Sequence, residues 1–476
     1  MAPAMTGSPP QVRLHNSLTR RADPLVPLEP GRVGIYTCGS TVYKYAHIGN
    51  LRTYLFGDLL HRALEYLGYE VRYVKNITDV GHMRNDDHDS LASDADKIEL
   101  AAETEGKTPA QIADFYTDAW LEDEALLNIL PADVMPKATD HIPEMIALTS
   151  RLLEKGLAYE VDGTIYFDVS AFPPYGQLSG QRVEEMRAGH RVEVEKDKRD
   201  PADFALWKAA AEHRRMKWPS PWGDGFPGWH IECSAMSLKH LGERFDIHTG
   251  GIDLKFPHHE DEIAQSEGAL GHPVVGIWMH GEFLTMDDAK MAKSTGNVIR
   301  VADLPAMGHE PLVFRYLALT AHYRSKLDFT ADAMHAAASG LARLRRAVAT
   351  APSEPVDLAS EPMAAYRARF ADAVADDLAL PRALAVAHEV ASAAELTDAQ
   401  RRALLLDFDR VLGLSLDARV PDSAPLPEGA AELLERRAAA RAAREFATSD
   451  ALREELAALG VEVRDTPDGQ ETTVRR

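Results

Sequence analysis

The 476-residue chain is long enough for several domains with large hydrophobic cores. Its composition is 45% hydrophobic and 26% charged, which is ordinary for a water-soluble protein, and no apolar run approaches a membrane span. A formal net charge of −22 excludes a general polyanion binder, so any nucleic-acid site must be a local basic patch. Residues 1–17 lack the apolar stretch of a signal peptide, which predicts a flexible lead over 1–29 and a cytoplasmic protein.

The pattern of residues 33–67 predicts a strand, a polar loop and a helix. An apolar run at Val33 to Tyr36 precedes the loop, and leucines recur at helical spacing beyond Asn50. His47, Gly49 and Asn50 fall where the helix begins, and a helix N-terminus suits a phosphate. The loop lacks the spaced glycines of the P-loop and of the dinucleotide fingerprint. The alternative is that His47 only caps or packs against the helix.

A second strand follows this helix and completes a β-α-β unit. It runs through Val71, Tyr73 and Ile77, so that Thr78 and Asp79 lie at its carboxyl end. This edge of a parallel sheet faces the ligand crevice, which makes both residues candidates. The acidic stretch over 83–96 predicts a mobile surface loop, and the pattern returns to helical over 109–130.

Residues 131–209 are predicted to form an insertion. A helix ending at Gly156 precedes a hairpin whose turn is Asp162-Gly163. The insertion carries no catalytic constellation, and it is interpreted as a scaffold or as a surface for a large substrate.

Residues 228–269 contain potential metal ligands. Cys233 and Cys38 are the only cysteines, and His258 and Glu262 are one helical turn apart on one face. Two thiolates, an imidazole and a carboxylate would favour Zn²⁺. Inert buried thiols and ordinary surface residues remain the alternative, with His230 and His259 as rival ligands.

Residues 290–297 place two lysines in a short loop of small residues. Lys290 and Lys293 could move onto a triphosphate and neutralise the charge of departing pyrophosphate. The alternative is an exposed basic loop.

These motifs together resemble the cysteinyl-tRNA synthetases, a family of class I aminoacyl-tRNA synthetases. The resemblance extends from about residue 30 to the C-terminus, and 47–50 and 290–294 resemble the HIGH and KMSKS signatures. The stretches that carry it occur in the family's order: TCGSTVYKYAHIGNLRTYLF, YVKNITDV, RDPADFALWK, PWGDGFPGWHIECSAMS, FDIHTGGIDLKFPHHEDEIAQSE, KMAKS and AHYRSKLDF.

The resemblance implies attachment of cysteine to tRNA(Cys) through a cysteinyl-adenylate, with ATP and Mg²⁺ as co-reactants. Zinc would select the cysteine thiolate over a serine hydroxyl, so no separate editing domain is expected. The implied roles are ATP binding by His47, Gly49, Asn50, Asp253 and Lys293; transition-state stabilisation by His47, Asn50, Lys290 and Lys293; cysteine binding by Thr78 and Trp229; and zinc ligation by Cys38, Cys233, His258 and Glu262.

The implied fold is α/β, with a Rossmann-like parallel-sheet catalytic domain, an inserted domain and a helical region that binds the anticodon stem and anticodon. A monomer is expected. The predicted boundaries are 1–29 for the lead, 30–130 and 210–275 for the catalytic halves, 131–209 for the inserted connective domain, 276–350 for the KMSKS-loop and stem-contact region, 363–415 for a helical bundle, and 428–476 for a small anticodon-binding domain.

The C-terminal region leaves two interpretations open. Arg437, Arg441 and Arg444 are predicted on one helix face, where they would contact tRNA phosphates or form a solvated surface. Ala292 replaces a signature serine, and Val474 stands where relatives usually have tryptophan. Alternative functions are a cysteine ligase acting on a small amine, as in the mycothiol pathway, and an inactive RNA-binding paralogue. Residues 363–476 count against the first, and the retained motif residues count against the second.

Overall fold

The computed structural model describes residues 10–80, 96–181, 198–286, 289–290, 298–418, 427, 429–466 and 469–474. The expected acidic loop lies almost entirely outside these residues, as do Lys293 and Ala292. The elements of the first half are β1 (Arg13–Asn16), β2 (Arg21–Pro24), β3 (Arg32–Thr41), α1 (Ile48–Tyr66), β4 (Glu70–Thr78), α2 (Lys97–Glu105), α3 (Pro109–Leu126), α4 (Ile142–Glu154), β5 (Ala158–Val161), β6 (Thr164–Phe167), β7 (Phe204–Ala209), β8 (Trp218–Ser220) and β9 (Gly223–Pro227).

The second half begins with the helix that carries Cys233. Its elements are α5 (Trp229–Leu241), β10 (Phe245–Gly251), α6 (His258–Leu270), β11 (Val275–Gly281), β12 (Leu284–Met286), β13 (Ala289–Lys290), α7 (Pro311–Leu319), β14 (Leu327–Asp328), α8 (Ala331–Ala349), α9 (Met363–Ala375), α10 (Leu380–Val390), α11 (Asp398–Leu412), α12 (Ala430–Ala442), α13 (Phe446–Ala458), β15 (Val461–Thr466) and β16 (Gly469–Val474).

A parallel sheet of order β11-β10-β3-β4 forms the centre of the molecule. The chain passes from β3 through α1 to β4 on one side and later adds β10 and β11 on the other side of β3. The strand order therefore reverses between β3 and β10, and ligands bind at such a switch point beyond the carboxyl ends of the strands. This confirms the predicted Rossmann-like α/β fold.

Strand β3 is longer than its apolar run predicts. It continues to Thr41, with a shift in its pairing to β4 between Thr37 and Ser40, so Cys38 lies in a strand and not in a loop. The shift brings the backbone at Gly39 against β4, where a Cβ would lie 1.7 Å from the carbonyl oxygen of Asn76. The extension consists mostly of polar residues and a glycine, so no apolar alternation marks it in the sequence.

The N-terminal lead is not flexible over its whole length. Strands β1 and β2 pair as an antiparallel hairpin, and Val12 and Leu14 are buried in the main core. Residues 1–9 lie outside the described residues. The prediction of a flexible lead over 1–29 is therefore wrong for 13–24, because two four-residue strands give too little alternation to be recognised.

The inserted region consists of α4 and a five-stranded antiparallel sheet of order β5-β6-β7-β9-β8. The predicted hairpin turn is present, with φ of 49° at Asp162 and 83° at Gly163. The sheet extends to Pro227 and so crosses the boundary predicted at residue 209. Three further strands could not be assigned from a segment interrupted by polar turns.

Helices α7 and α11 pack on α1 through buried charged groups. Arg315 is fully buried and donates to Asp58 of α1 at 2.6 Å and to the carbonyl of Leu412 in α11 at 2.6 Å. Beyond residue 427, Ala430, Leu434, Leu456 and Val461 form a small separate core. Among the described residues, no helix has the length and apolar character needed to cross a lipid bilayer.

Candidate active site

The start of α1 is built by His47, Gly49 and Asn50. The backbone N–H of Asn50 donates to His47 Nδ1 at 3.2 Å, and the backbone N–H of His47 donates to Asn50 Oδ1 at 3.3 Å. A Cβ at Gly49 would lie 2.9 Å from His47 Nδ1, so glycine is needed for this cap. Because Nδ1 accepts a hydrogen bond, the neutral imidazole carries its proton on Nε2 and can donate from there. His47 therefore caps the helix and also presents a donor.

An open cleft with about 890 Å³ of empty space lies at this helix start. It joins residues from four parts of the chain at the carboxyl edge of the sheet. Among its lining residues are Cys38, His47, Asn50, Trp229 and Asp253. Asp253 is exposed in a short 3₁₀ helix after β10, so its carboxylate can accept from a ligand at the rim. The structure thus brings five of the sequence-predicted residues into one cleft.

The four predicted metal ligands converge beside this cleft. One ligand atom from each of Cys38, Cys233, His258 and Glu262 lies within 4.8 Å of the others, and all four residues are buried. The two sulfurs are 3.8 Å apart, and His258 Nε2 lies 3.1 Å from Glu262 Oε1. Sulfur, imidazole and carboxylate donors in this arrangement fit a Zn²⁺ ion.

Electrostatics in this cluster favour a bound cation. Burial opposes the charged form of Cys233, but the hydrogen bond from Cys38 and the charge of His258 lower its pKa to about 6. Burial also opposes the charge of Glu262, but His248 and His258 lower its pKa to about 2. Burial disfavours a charged His258, yet Cys233 and Glu262 raise its pKa to about 10. A metal would replace the proton that His258 carries among these anions.

A second group of histidines surrounds the same ligands. His259 Nε2 lies 3.3 Å from Cys38 Sγ, and His248 Nε2 lies 2.9 Å from Glu262 Oε2. Cys38, His248, His259 and Glu262 therefore form an overlapping set of possible ligands. Only the set containing Cys233 uses both thiols. His230, the other rival, lies behind His258, with its Nδ1 2.7 Å from His258 Nδ1.

Sequence reasoning missed His248 and Asn76. His248 lies in the middle of β10, and Asn76 Oδ1 lies 2.9 Å from the backbone nitrogen of Gly39 and 3.7 Å from Cys233 Sγ. Both residues stand out as polar side chains in buried strands, which is the signal that could have identified them.

The two residues expected to bind cysteine occupy different positions. Trp229 begins α5, lines the cleft and lies with its ring 4.6 Å from that of His258. Thr78 ends β4, is buried, and accepts a hydrogen bond from Asn76 Nδ2 at 3.1 Å. Trp229 thus faces the cleft directly. Thr78 instead contacts Asn76, which in turn contacts the sulfur of Cys233.

Models of two protein families match the chain. One, described as the class I (C) tRNA synthetase catalytic domain, matches residues 24–339. The other, described as the cysteinyl-tRNA ligase anticodon binding domain, matches residues 423–472. A protein of Thermus thermophilus named cysteine–tRNA ligase is 45% identical, with 97% of this chain and 99% of that protein covered. The chain belongs to the cysteine–tRNA ligase family.

Other members of the family are similarly related over their whole length. The cysteine–tRNA ligase of Alkalilimnicola ehrlichii is 44% identical, covering 98% of this chain and 100% of that protein. Among solved structures, Mycobacterium tuberculosis methionyl-tRNA synthetase in complex with methionyl-adenylate aligns with a TM-score of 0.54 at 18% identity, covering 88% of this chain and 96% of that one. That likeness supports the class I synthetase fold.

The arginines predicted to contact tRNA do not share an exposed helix face. Arg437 is fully buried and donates to Gln470 Oε1 at 2.9 Å, so it stabilises the small C-terminal module. Arg441 is exposed in the last turn of α12, whereas Arg444 follows the helix with φ of 61° and is also exposed. The predicted three-residue stripe is therefore wrong, because the helix ends before Arg444 and its inner face contains Arg437.

Proposed function

We propose that the chain joins cysteine to tRNA(Cys) in two steps at the cleft. The cysteine carboxylate attacks the α-phosphate of ATP, which forms cysteinyl-adenylate and releases pyrophosphate. The terminal adenosine hydroxyl of the tRNA then attacks the adenylate carbonyl, and AMP leaves. The observation that carries this proposal is the convergence of Cys38, Cys233, His258 and Glu262 beside the cleft at which α1 begins.

Cys38, Cys233, His258 and Glu262 would hold one zinc ion per chain. Bound there, zinc would supply a Lewis-acid site that accepts a thiolate and ligates a hydroxyl poorly. His248 and His259 orient two of the ligands through hydrogen bonds at Glu262 and Cys38. These two hydrogen bonds restrict the Glu262 carboxylate and the Cys38 thiolate to positions that suit one ion.

ATP with Mg²⁺ would bind along the same cleft. His47 and Asn50 lie at the positive end of α1, where they can donate to phosphate oxygens, and Gly49 leaves space at the backbone. Asp253 would accept a hydrogen bond from a ribose hydroxyl. Catalysis then depends on orientation and on positive potential around the phosphates, without a side-chain nucleophile.

Lys290 and Lys293 would add cationic charge as pyrophosphate departs. The backbone of Lys290 pairs with Thr285 in the short β12–β13 ladder, and Lys293 lies outside the described residues. Arg441 and Arg444, which are exposed in the C-terminal module, are the remaining candidates for tRNA phosphate contacts. The family resemblance also leads us to propose a monomer acting in the cytoplasm, testable by light scattering and cell fractionation.

Pyrophosphate exchange and tRNA charging test the function together. We expect exchange that depends on cysteine and not on serine, and charging of tRNA(Cys). Cys233→Ser should weaken zinc affinity at least about tenfold and raise the KM for cysteine, because one thiolate ligand is lost. Ser234→Ala is the matched control, since its hydroxyl contacts Gln265 of α6, which is not one of the four proposed ligands. Exchange without charging would favour the small-amine ligase, and equal use of serine would refute selection by zinc.

A further inference from the structure

The turn between α9 and α10 contains a buried aspartate in an unfavourable backbone conformation. Asp377 and Leu378 have φ of 53° and 51°, a region that residues other than glycine rarely adopt. Asp377 is nevertheless only 6% exposed. A conformation of this kind persists only where surrounding contacts enforce it, and such residues often serve a functional geometry.

The carboxylate of Asp377 joins its own turn to two distant segments. Oδ1 accepts from the backbone N–H of His15 at 2.8 Å and from the hydroxyl of Tyr323 at 2.6 Å. Oδ2 accepts from Arg324 Nε at 2.9 Å and Nη2 at 2.7 Å. The backbone N–H of Asp377 also donates to the carbonyl of Arg13 at 2.8 Å. Two charge-assisted bonds from one guanidinium, together with the bonds to Oδ1, fix the position of this carboxylate.

Tyr323 transmits this junction to α1. Its ring stacks on Phe56 of α1, with ring centroids 4.4 Å apart and planes 5° from parallel. Its carbonyl accepts from the backbone N–H of Glu282 at 2.8 Å, just before β12. Arg52 of α1 donates to the carbonyls of Phe283 and Ser325 on either side of this contact. The 322–325 turn is therefore wedged between Asp377 and the first half of α1.

We propose that Asp377 is a positioning residue for adenylate formation, because it seats the 322–325 turn against α1 and thereby orients His47 and Asn50 toward ATP. This inference rests on the proposed binding of ATP in the cleft. The turn between α9 and α10 would thus act directly on the helix that begins at the cleft. Cysteine binding should not depend on Asp377, because the zinc ligands are carried by β3, α5 and α6.

Asp407 in α11 provides a matched control. It is 7% exposed, and its Oδ2 accepts from the Tyr66 hydroxyl at 2.9 Å and from Arg367 Nε at 2.9 Å. It thus has the same kinds of partners as Asp377. Tyr66, however, is the last residue of α1, so Asp407 supports the end of the helix that is remote from His47.

The experiment compares full-length Asp377→Asn and Asp407→Asn with the unmutated protein. Both should lower the melting temperature, but only Asp377→Asn should raise the KM for ATP in pyrophosphate exchange, by about tenfold, since small displacements of positioned groups are costly. The KM for cysteine should stay within about twofold. Tyr323→Phe, which keeps the ring stacked on Phe56 but removes its donor, should raise the KM for ATP by about threefold and covers the case that Asp377→Asn does not fold.

Titration calorimetry with ATP on the same proteins separates this inference from the proposed function. If the unmutated protein lacks cysteine-dependent exchange, the proposed function fails, while a weaker ATP affinity of Asp377→Asn and Tyr323→Phe alone would still support the positioning role. An equal KM and an equal affinity for ATP in the Asp377 and Asp407 variants would overturn the positioning role of Asp377. A parallel rise in the KM values for ATP and cysteine would also overturn it.

Discussion

Gly49 is required by the imidazole beside it, and this gives a test of the helix start. In Gly49→Ala the new Cβ would lie 2.9 Å from His47 Nδ1 and displace the ring. We expect a loss of about 1 kcal/mol of stability from the weakened cap and a rise of about tenfold in the KM for ATP. Both are measurable by urea unfolding and pyrophosphate exchange.

Gly57→Ala controls for strain within α1. Its Cβ would lie 2.5 Å from the Tyr73 hydroxyl, so it should also destabilise the protein, but at a distance from His47. A KM for ATP that rises equally in both variants would show that the effect is general distortion of the helix.

Asp123 predicts a pH-dependent stability. It is 3% exposed and its Oδ2 has no hydrogen-bond partner among the described residues. Burial raises its pKa to about 6, although Arg300 opposes the shift. The fold therefore favours the protonated carboxyl of Asp123. The stability that this preference adds is fully present below the ordinary pKa of an aspartate, and it is lost as the pH rises through about 6.

Asp123→Asn should reproduce the protonated state at every pH. We expect it to stabilise the protein by about 1 to 2 kcal/mol at pH 7.5, with the gain disappearing near pH 4. Urea unfolding at pH 7.5, 5.5 and 4 measures this trend. A gain that is constant across these values would show that Asp123 ionises normally.

Individual residues differ in how far the sequence could place them. The four ligand candidates were identifiable because the chain has only two thiols and because His258 and Glu262 share a helix face. His259 could not be ranked against the other ligand candidates, since its contact with Cys38 joins α6 to β3, which lie far apart in the sequence. Arg437 was misjudged because an arginine on a helix is usually exposed, and its contact with Gln470 of β16 is distant in sequence.

At the scale of elements, the β1–β2 hairpin is the main difference from expectation. Leu14 is fully buried, and the hairpin is tied to the central sheet by Asn16, whose Nδ2 donates to the carbonyl of Gly276 at 3.1 Å. By contrast, helix α1 and the turn at Asp162 follow from strong local signals, namely helical spacing and a two-residue turn. Short strands stabilised by distant partners carry no such signal.

Leu14→Ala tests whether the hairpin belongs to the core. We expect a loss of about 2 to 5 kcal/mol, as for other buried leucines. Val26→Ala is the control, because Val26 is 76% exposed and should change stability by less than about 0.5 kcal/mol. Guanidinium unfolding measures the free energy of unfolding of both variants. Equal losses of stability would mean that the hairpin packs loosely.

At the scale of the whole molecule, helices α7 and α11 share a charged interface with α1. Arg315 and Asp58 are both fully buried, and Arg62 also pairs with Asp58 at 3.0 Å. The family resemblance predicted a helical region but not this interface, since arginine and aspartate are ordinarily surface residues. The motifs predict the order of the parts along the chain, whereas their packing depends on such buried pairs.

The C-terminal module should be separable from the catalytic chemistry. Its apolar cluster is distinct from the main core, while the cleft and the four proposed ligands lie between residues 38 and 262. A chain ending at residue 418 should therefore retain cysteine-dependent pyrophosphate exchange within about twofold. It should lose tRNA charging by about 100-fold or more, because contacts that orient a macromolecular substrate contribute several kcal/mol.

The full-length Arg441→Ala/Arg444→Ala protein is the companion variant, since a similar but smaller loss there would place tRNA contacts on the exposed arginines. Exchange lost together with charging would show that the module supports the catalytic part, and charging retained by the shortened chain would remove it from tRNA recognition.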